Sequence, residues 1–260
     1  MRGIETEGRM GHAARVLVFR QAQVAEDPLE NALLASLPEE EFRRLTPKLE
    51  PVAFPLGSVV YETGAHQLHL YFPTSCVVSL LHTMQDGATA EMGLTGNDGA
   101  VGLALFLGGE SMPNRAVVQI AGGAYRMAVR ALREEFARGG PLQRMLLRYT
   151  QAHLIQVSQT AVCNRLHGVE QRLCRWLLLS RDRVKTDEIQ MTQEYIANML
   201  GGRRESVTVA AGHLQDAGLI RYSRGHITIV DRPGLEAVVC ECYRLVKEEG
   251  DRLLHTGWGN

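Results

Sequence analysis

The sequence predicts an α+β protein with an N-terminal antiparallel β jelly roll, one long helix, and a C-terminal pair of short helices followed by a hairpin. Three observations support this prediction. Short apolar runs separated by turn residues fill positions 52–129, a stretch without glycine spans 141–166, and two amphipathic segments meet at a glycine pair at 201–202. We therefore expect two structured parts connected by a helix.

The composition is that of a globular protein, and it excludes a disordered chain and a protein with a uniformly basic surface. Of the 260 residues, 45% are hydrophobic and 22% charged, which is enough to fill a core and argues against wholesale disorder. The net charge of -1 excludes a uniformly basic coat. Residues 1–140 hold 12 Lys/Arg against 16 Asp/Glu, a net of -4, whereas residues 141–260 hold 16 against 13, a net of +3. A polyanion partner is therefore expected to meet a local patch.

Neither a membrane span nor a secretory signal is expected. No apolar stretch approaches the ~18–20 residues that a membrane helix requires. Residues 1–25 show no apolar block with a cleavage site and no clear period, so we expect a flexible lead-in. The cysteines are odd in number and scattered, which does not suit a disulfide framework and favours the reducing cytoplasm. They are Cys76, Cys163, Cys174, Cys240 and Cys242.

Residues 26–140 are expected to form the β domain. Apolar spacing from Asn31 to Leu49 predicts short amphipathic helices interrupted at Pro38. Strand-like runs then alternate with Gly, Asp, Asn and Pro, and Asp86-Gly87 between two of them predicts a tight hairpin. Many short strands at this spacing favour an antiparallel jelly roll. The runs are residues 59–61, 70–72, 76–84, 90–94, 116–120 and 124–129.

Residues 141–168 are predicted to form a dimerisation helix that begins at Pro141 and ends before Gly168, which we interpret as a hinge. The helix has two apolar faces, so it has two surfaces to pack against: its own domain and a second copy of the chain. A single helix buried in a monomer is the alternative. One face holds Leu142, Met145, Leu146 and Tyr149, and the other holds Leu147, Leu154, Val157 and Ala161.

Residues 169–240 are predicted to form a winged helix-turn-helix, and residues 241–260 a C-terminal tail helix. Thr192 is a good N-cap for a helix of barely two turns, and Gly201-Gly202 supplies a tight turn. A second amphipathic helix follows and ends at Gly218. The runs at 219–223 and 226–230 then form a two-stranded wing.

The second of these helices is the predicted DNA-reading element. Arginine can donate two hydrogen bonds to guanine or to a phosphate, and glutamate can accept a hydrogen bond from the cytosine amino group. Valine can make an apolar contact with a thymine methyl group. On and near the wing, Arg221, Arg224 and Arg232 suit phosphate contacts. A helical hairpin with a solvated charged face is the alternative. The outward side chains on the helix are Arg203, Arg204, Glu205, Ser206, Thr208 and Val209.

From about residue 31 to residue 240 the chain resembles the Crp–Fnr family of bacterial transcription regulators. The specific match is G-x-x-R-E-[ST]-V at residues 201–207. The resemblance implies that Arg204 and Glu205 read bases, that the protein is a homodimer on a near-palindromic double-stranded DNA site, and that RNA polymerase is a partner. The chain has Val209 where family members often have a further arginine, and Arg203 where a Ser or Thr cap is usual. The usual target sequence is therefore not assumed.

The β domain departs from the cyclic-nucleotide pattern of the family. Relatives that bind cyclic nucleotides carry Gly-Glu for the ribose hydroxyl and Arg-Ser/Thr for the phosphate. Here Gly102 is followed by Leu103, and Arg115 by Ala116. Losing both hydroxyl-reading groups removes hydrogen bonds of about 1–3 kcal/mol each. We expect Gly102 and Arg115 as the effector-binding candidates, with cAMP not the natural ligand.

The sequence gives little support for sensing through an iron–sulfur cluster, a haem or a metal ion. An iron–sulfur sensor of the family needs cysteines near the N-terminus, whereas the first cysteine here is Cys76. A haem sensor would need axial ligands, for which Cys76 and His66, His69 or His82 are candidates, yet a lone strand histidine is more often structural. Cys240 and Cys242, two apart on the expected terminal helix, would face different sides, which is poor metal geometry. We predict no cofactor and no metal site.

A metal-dependent cupin-like enzyme on the jelly roll is the alternative function. That chemistry needs histidine ligands on one side of a strand, whereas His66 and His69 are three apart and face opposite sides. The nucleophile-elbow, H-E-x-x-H and phosphate-loop motifs are missing from the sequence. A scaffold that uses the helix only to dimerise would leave the winged motif unexplained. We therefore expect a regulator and not an enzyme.

Overall fold

A computed structural model describes residues 24–254. The expected lead-in over 1–25 lies almost entirely outside the described residues, and so do the last six residues of the expected tail helix. The strands are β1 (Leu49–Phe54), β2 (Val59–Tyr61), β3 (His69–Pro73), β4 (Val77–Thr83), β5 (Thr89–Thr95), β6 (Arg115–Ile120), β7 (Gly122–Ala128), β8 (Glu188–Gln190), β9 (Ile220–Ser223) and β10 (His226–Ile229). The helices are α1 (Ala32–Ala35), α2 (Glu39–Leu45), α3 (Val129–Ala137), α4 (Pro141–Leu166), α5 (Val169–Arg181), α6 (Gln193–Leu200), α7 (Arg204–Asp216), α8 (Arg232–Val238) and α9 (Glu241–Leu254).

The N-terminal part consists of two antiparallel sheets, in the orders β1-β7-β3 and β2-β6-β4-β5. The turn at Asp86-Gly87 joins β4 to β5, with Gly87 at φ +86 and the Asp86 carboxylate accepting from the backbone N–H of Ala88 at 3.0 Å. The expected antiparallel β domain is confirmed. Its inter-sheet core holds Cys76, Val78, Leu80, Val101, Ala116, Val118 and Ala124.

Two elements differ from the expectation. Leu49, assigned to the amphipathic helices, instead begins β1 and pairs with Met127 on β7. The residues after the strand run at 124–129 form α3, a helix that the sequence analysis missed. Its buried Leu132 joins the core between the first sheet and α4. Since a buried apolar residue suits a helix or a strand, burial alone could not separate these alternatives.

The long helix α4 has one face packed and one face open. Leu142, Met145, Leu146 and Tyr149 are buried against the β domain. Further along, the Gln156 amide donates to the Leu94 carbonyl on β5 at 2.9 Å. On a second face Leu147, Leu154 and Ala161 are exposed and Val157 is half-buried. Both predicted apolar faces are therefore present, and the second has no cover within residues 24–254.

The C-terminal part packs against the four-stranded sheet. Val77 and Leu94 share a core with α5 and the helix-turn-helix, and Met199 of α6 packs with Leu81 and Val117. A buried polar network crosses the same contact. Ser79 donates to the Glu91 carboxyl group at 2.6 Å, and the Gln119 amide donates to Ser180 on α5 at 3.2 Å. The two parts are thus joined by side-chain packing as well as by α4.

No helix within residues 24–254 has both the length and the apolar character needed to cross a bilayer.

Candidate nucleic-acid interface

The site is built on α6, α7 and the wing formed by β9 and β10. Thr192 caps α6, its hydroxyl accepting from the Tyr195 N–H at 3.2 Å. Glu194 lies in the first turn, where the helix dipole favours an acidic side chain. The buried Ile196, Ala197 and Leu200 form the inner face of this short helix.

The turn between α6 and α7 depends on Gly201. This residue ends α6 in the left-handed conformation, at φ 58 and ψ 38, which favours glycine because a Cβ would be strained there. Its N–H is donated back to the Asn198 carbonyl at 3.3 Å. Arg203 then takes the N-cap position of α7 without a side-chain capping bond.

Helix α7 is narrow on its inner side and polar on its outer side. Val207, Ala210, Ala211 and Leu214 are buried and pack in the same core as α5 and α6. Two of these four side chains are alanine, whose small size allows close packing of helices. The six side chains predicted to face DNA are all exposed, and they are Arg203, Arg204, Glu205, Ser206, Thr208 and Val209.

The outer side chains differ in how freely they can meet a partner. Within residues 24–254, neither Arg204 nor Glu205 forms an ion pair, so both charges are available. The Thr208 hydroxyl instead lies 2.8 Å from the Gln193 side-chain oxygen and 3.0 Å from the Arg204 carbonyl, and can donate to either. Thr208 thus ties α7 to the first residue of α6. The sequence analysis missed Gln193, since its role depends on a contact between two helices.

The wing brings two predicted arginines to the same surface. Arg221 and Arg224 are exposed, and Arg224 with Gly225 forms the tight turn between β9 and β10, at φ 50 and φ 81. Arg204 and Arg224 line a groove of about 490 Å³ between the helix-turn-helix and the wing. The remaining lining residues are Thr192, Gln193, Glu194, Tyr222 and Gly225. Two guanidinium groups facing one groove form a site suited to a polyanion.

Arg232, which the sequence suggested for phosphate contact, is already held by partners within the protein. Its guanidinium group lies 2.5 Å from an Asp182 oxygen and 2.9 Å from a Glu236 oxygen, and also donates to the Tyr243 hydroxyl. These carboxylates raise the pKa of Arg232 against the opposing effect of its burial. The partly exposed side chain thus ties the end of α5 to α8 and α9. Asp182 is 50 positions away in the chain, so no local pattern could predict this partner.

The two effector candidates make different contacts. Gly102 sits at φ 114 at the start of a short 3-10 turn, where an added Cβ would lie 3.0 Å from the His69 carbonyl. Arg115, at the start of β6, pairs with Glu62 at 3.1 Å. The histidines of the enzyme alternative also diverge: His66 is exposed and pairs with Glu110 at 3.2 Å, whereas His69 begins β3.

The known proteins to which this chain is similar are Crp-like transcription regulators. Residues 171–238 match the model of the Crp-like helix-turn-helix domain. The CRP-like cAMP-activated global transcriptional regulator of Mycobacterium tuberculosis is 27% identical over 195 residues, covering 72% of this chain and 87% of that protein. The metal-dependent enzyme alternative finds no support in these matches.

Solved structures show the same fold. FixK2 from Bradyrhizobium japonicum superposes with a TM-score of 0.64 at 16% identity, over 74% of this chain and 98% of that one. A putative regulator of the Crp/Fnr family from Eubacterium rectale gives 0.62 at 18% identity, over 82% and 97%. The similarity therefore extends from the helix-turn-helix into the β domain.

Proposed function

Because the chain is a DNA-binding transcription regulator of the Crp–Fnr family, we propose that α7 enters the major groove and reads base edges with Arg204 and Glu205. The observation that carries this proposal is the exposure of both side chains at the start of α7, with no ion pair to other residues of 24–254. The proposed interface also includes further side chains of the α7 segment, and two wing arginines that contact phosphates. The α7 side chains are Arg203, Ser206, Thr208 and Val209, and the wing arginines are Arg221 and Arg224.

The functional unit is a homodimer formed along α4. Leu147, Leu154 and Ala161 are spaced seven residues apart on its exposed face, with Val157 between them. This heptad spacing supports pairing of two α4 helices as a coiled coil. A two-fold dimer would place two α7 helices in successive major grooves of a near-palindromic site.

The β domain senses an effector and passes the signal to the DNA-binding part. The hydrogen bond from Gln119 to Ser180 on α5 and the shared core of Val77 and Leu94 with α5 support this coupling, because they join the sheet directly to the helix-turn-helix. An effector that binds two domain arrangements with different affinity would shift their populations and so change DNA affinity. The Gly168 segment between α4 and α5 is the hinge.

The effector is not cAMP, although the relative from M. tuberculosis is described as cAMP-activated. Leu103 occupies the position of the ribose-binding glutamate and packs against the core of the first sheet. Ala116, in place of the phosphate-binding Ser or Thr, is fully buried, and Arg115 is already paired with Glu62. Isothermal titration with cAMP is expected to give no micromolar binding, and micromolar binding would overturn this assignment.

Regulation of transcription implies a further protein partner and a cellular location. DNA and RNA polymerase meet in the bacterial cytoplasm, so we assign the protein there, with RNA polymerase as its further partner.

Selection of bound duplexes from a random-sequence DNA pool tests the proposed function. The expected result is a near-palindromic motif whose half-sites lie about 10–10.5 base pairs, or a multiple of that spacing, apart. Selected duplexes that share no common sequence would contradict the proposal.

A further inference from the structure

Four side chains of metal-binding type meet where α4 ends. The sulfur atoms of Cys163, Cys240 and Cys242 and a ring nitrogen of His167 all lie within 4.8 Å of one another. Cys163 and His167 are one helical turn apart at the end of α4, and the two other cysteines flank Glu241 at the start of α9. Segments about 75 residues apart in the chain thus converge on one point.

The expectation that Cys240 and Cys242 face different sides of one helix is wrong. Helix α9 begins at Glu241, so Cys240 lies in the turn before it and is free of the helical geometry that would separate the two thiols. Both cysteines are buried, at 3% and 0% exposure, and both reach the end of α4. The sequence could not show this, because the contact depends on α9 packing back along α4.

Two ligand-to-ligand distances in the cluster are close to those of a tetrahedral metal site. The Cys163 and Cys240 sulfur atoms are 3.7 Å apart, and the Cys242 sulfur is 3.4 Å from Nδ1 of His167. Around Zn²⁺, bonds of about 2.3 Å to sulfur and about 2.0–2.1 Å to nitrogen give tetrahedral edges of about 3.8 and about 3.6 Å. The cluster would therefore need only small shifts to bind an ion.

The surroundings also suit a metal site. With Nδ1 of His167 facing the cysteines, its Nε2 lies 3.5 Å from a Glu241 oxygen, the carboxylate–histidine arrangement that orients metal ligands. The Gln159 amide donates to the Cys242 sulfur at 3.1 Å. The guanidinium groups of Arg172 and Arg175 both interact electrostatically with the Cys163 thiol. Three thiolates around a divalent ion carry a net negative charge, which these cations offset.

We propose that Cys163, His167, Cys240 and Cys242 bind one thiophilic divalent metal ion in a tetrahedral site, with Zn²⁺ as its occupant. Three thiolates and one imidazole form a donor set typical of structural zinc sites, in which every position is taken by protein. His167 keeps 15% of its side chain exposed, which leaves a route of entry for the ion. The bound ion would fix the end of α4 to the start of α9, directly beside the Gly168 hinge.

Metal analysis of the purified full-length chain is the first test. We expect about one zinc per chain by elemental analysis and native mass spectrometry, and Co²⁺ in its place should give the intense visible bands of tetrahedral thiolate coordination. A chain that takes up neither ion, or an intact mass showing a disulfide among these cysteines, would overturn the proposal. Iron with stoichiometric labile sulfide would overturn the mononuclear assignment.

Variants separate ligation from folding. Cys163→Ser and His167→Ala should lose stoichiometric Zn²⁺ in chelator competition, whereas His167→Cys should keep it and show a four-thiolate cobalt spectrum. Glu241→Gln should weaken affinity by about 10–100-fold with the tetrahedral spectrum retained. Cys174→Ser is the matched control, since Cys174 is an equally buried free thiol outside the cluster.

Equal Zn²⁺ affinity in Cys163→Ser and Cys174→Ser would overturn the proposal. These measurements involve no DNA, so their failure would leave the proposed function untouched.

Discussion

At the scale of single residues, Glu91 is the most unusual ionisable group at the contact between the β domain and α5. Burial raises the pKa of its carboxyl group to about 7, against the opposing effects of the hydrogen bond from Ser79 and the nearby charges of Arg175 and Arg183. The side chain is 8% exposed. Near neutral pH this group therefore changes charge inside the protein, where a charge is costly.

Replacing Glu91 by glutamine should remove a pH dependence of stability. The folded-state pKa of about 7 lies above the ordinary value of 4.5, so the folded protein keeps a proton that the unfolded chain releases. The contribution of Glu91 is therefore most favourable below about pH 4.5 and falls as pH rises toward about 7. Glu91→Gln should gain up to about 3 kcal/mol over the wild-type chain at pH 8 relative to pH 5, as measured by urea unfolding.

The exposed Glu40 provides the control for this comparison. Glu40→Gln should leave the difference between pH 5 and pH 8 unchanged. If Glu91→Gln shows the same pH profile as the wild-type chain, Glu91 does not titrate as described.

The sequence allowed prediction of residues whose role is set by neighbours in the chain. Arg204 and Glu205 belong to a contiguous motif, and the helix period alone places them on the outer face of α7. The cluster of Cys163, His167, Cys240 and Cys242 and the pairing of Arg232 with Asp182 join segments at least 50 positions apart. No local pattern encodes such contacts, so they became visible only in three dimensions.

At the scale of elements, the turn between α6 and α7 is set by one of its two glycines. Gly201 has a φ of 58, whereas Gly202 lies outside the left-handed region and has open space around it. Gly201→Ala should destabilise the protein by roughly 1–2 kcal/mol, because a Cβ is strained in this conformation. Gly202→Ala should be neutral or slightly stabilising. Equal effects of both substitutions in chemical unfolding would contradict this assignment.

The strands were predicted more completely than the helices around them. The runs at 59–61, 70–72 and 116–120 fall within one residue of β2, β3 and β6, because apolar and β-branched residues bounded by turn residues mark short strands. Helix α3 follows β7 without a glycine or proline between them, so nothing in the sequence marked the change of period. Its Glu135 is buried and paired with Arg44 and Lys48, again a long-range contact.

At the scale of the whole molecule, the open face of α4 is the proposed dimer interface. Leu154 is 60% exposed at the centre of this face. Leu154→Glu should convert the dimer to a monomer in light scattering, because a charge at the centre of a heptad seam must be desolvated on pairing. It should also weaken binding to a two-half-site duplex.

Leu68 is the matched control, being a leucine of similar exposure, 64%, in the β domain. Leu68→Glu should leave both mass and DNA binding unchanged. A Leu154→Glu chain that remains dimeric would place the interface elsewhere.

Arg204 and Glu205 are proposed to read base sequence. The most direct measurement is the ratio of affinities for the selected duplex and a scrambled one, at a fixed salt concentration, for wild type, Arg204→Ala, Glu205→Ala and Arg224→Ala. We predict that Arg204→Ala and Glu205→Ala each lower this ratio by the equivalent of about 1–3 kcal/mol. Arg224→Ala should weaken both affinities alike. An unchanged ratio in both α7 variants would show that these side chains do not read base sequence.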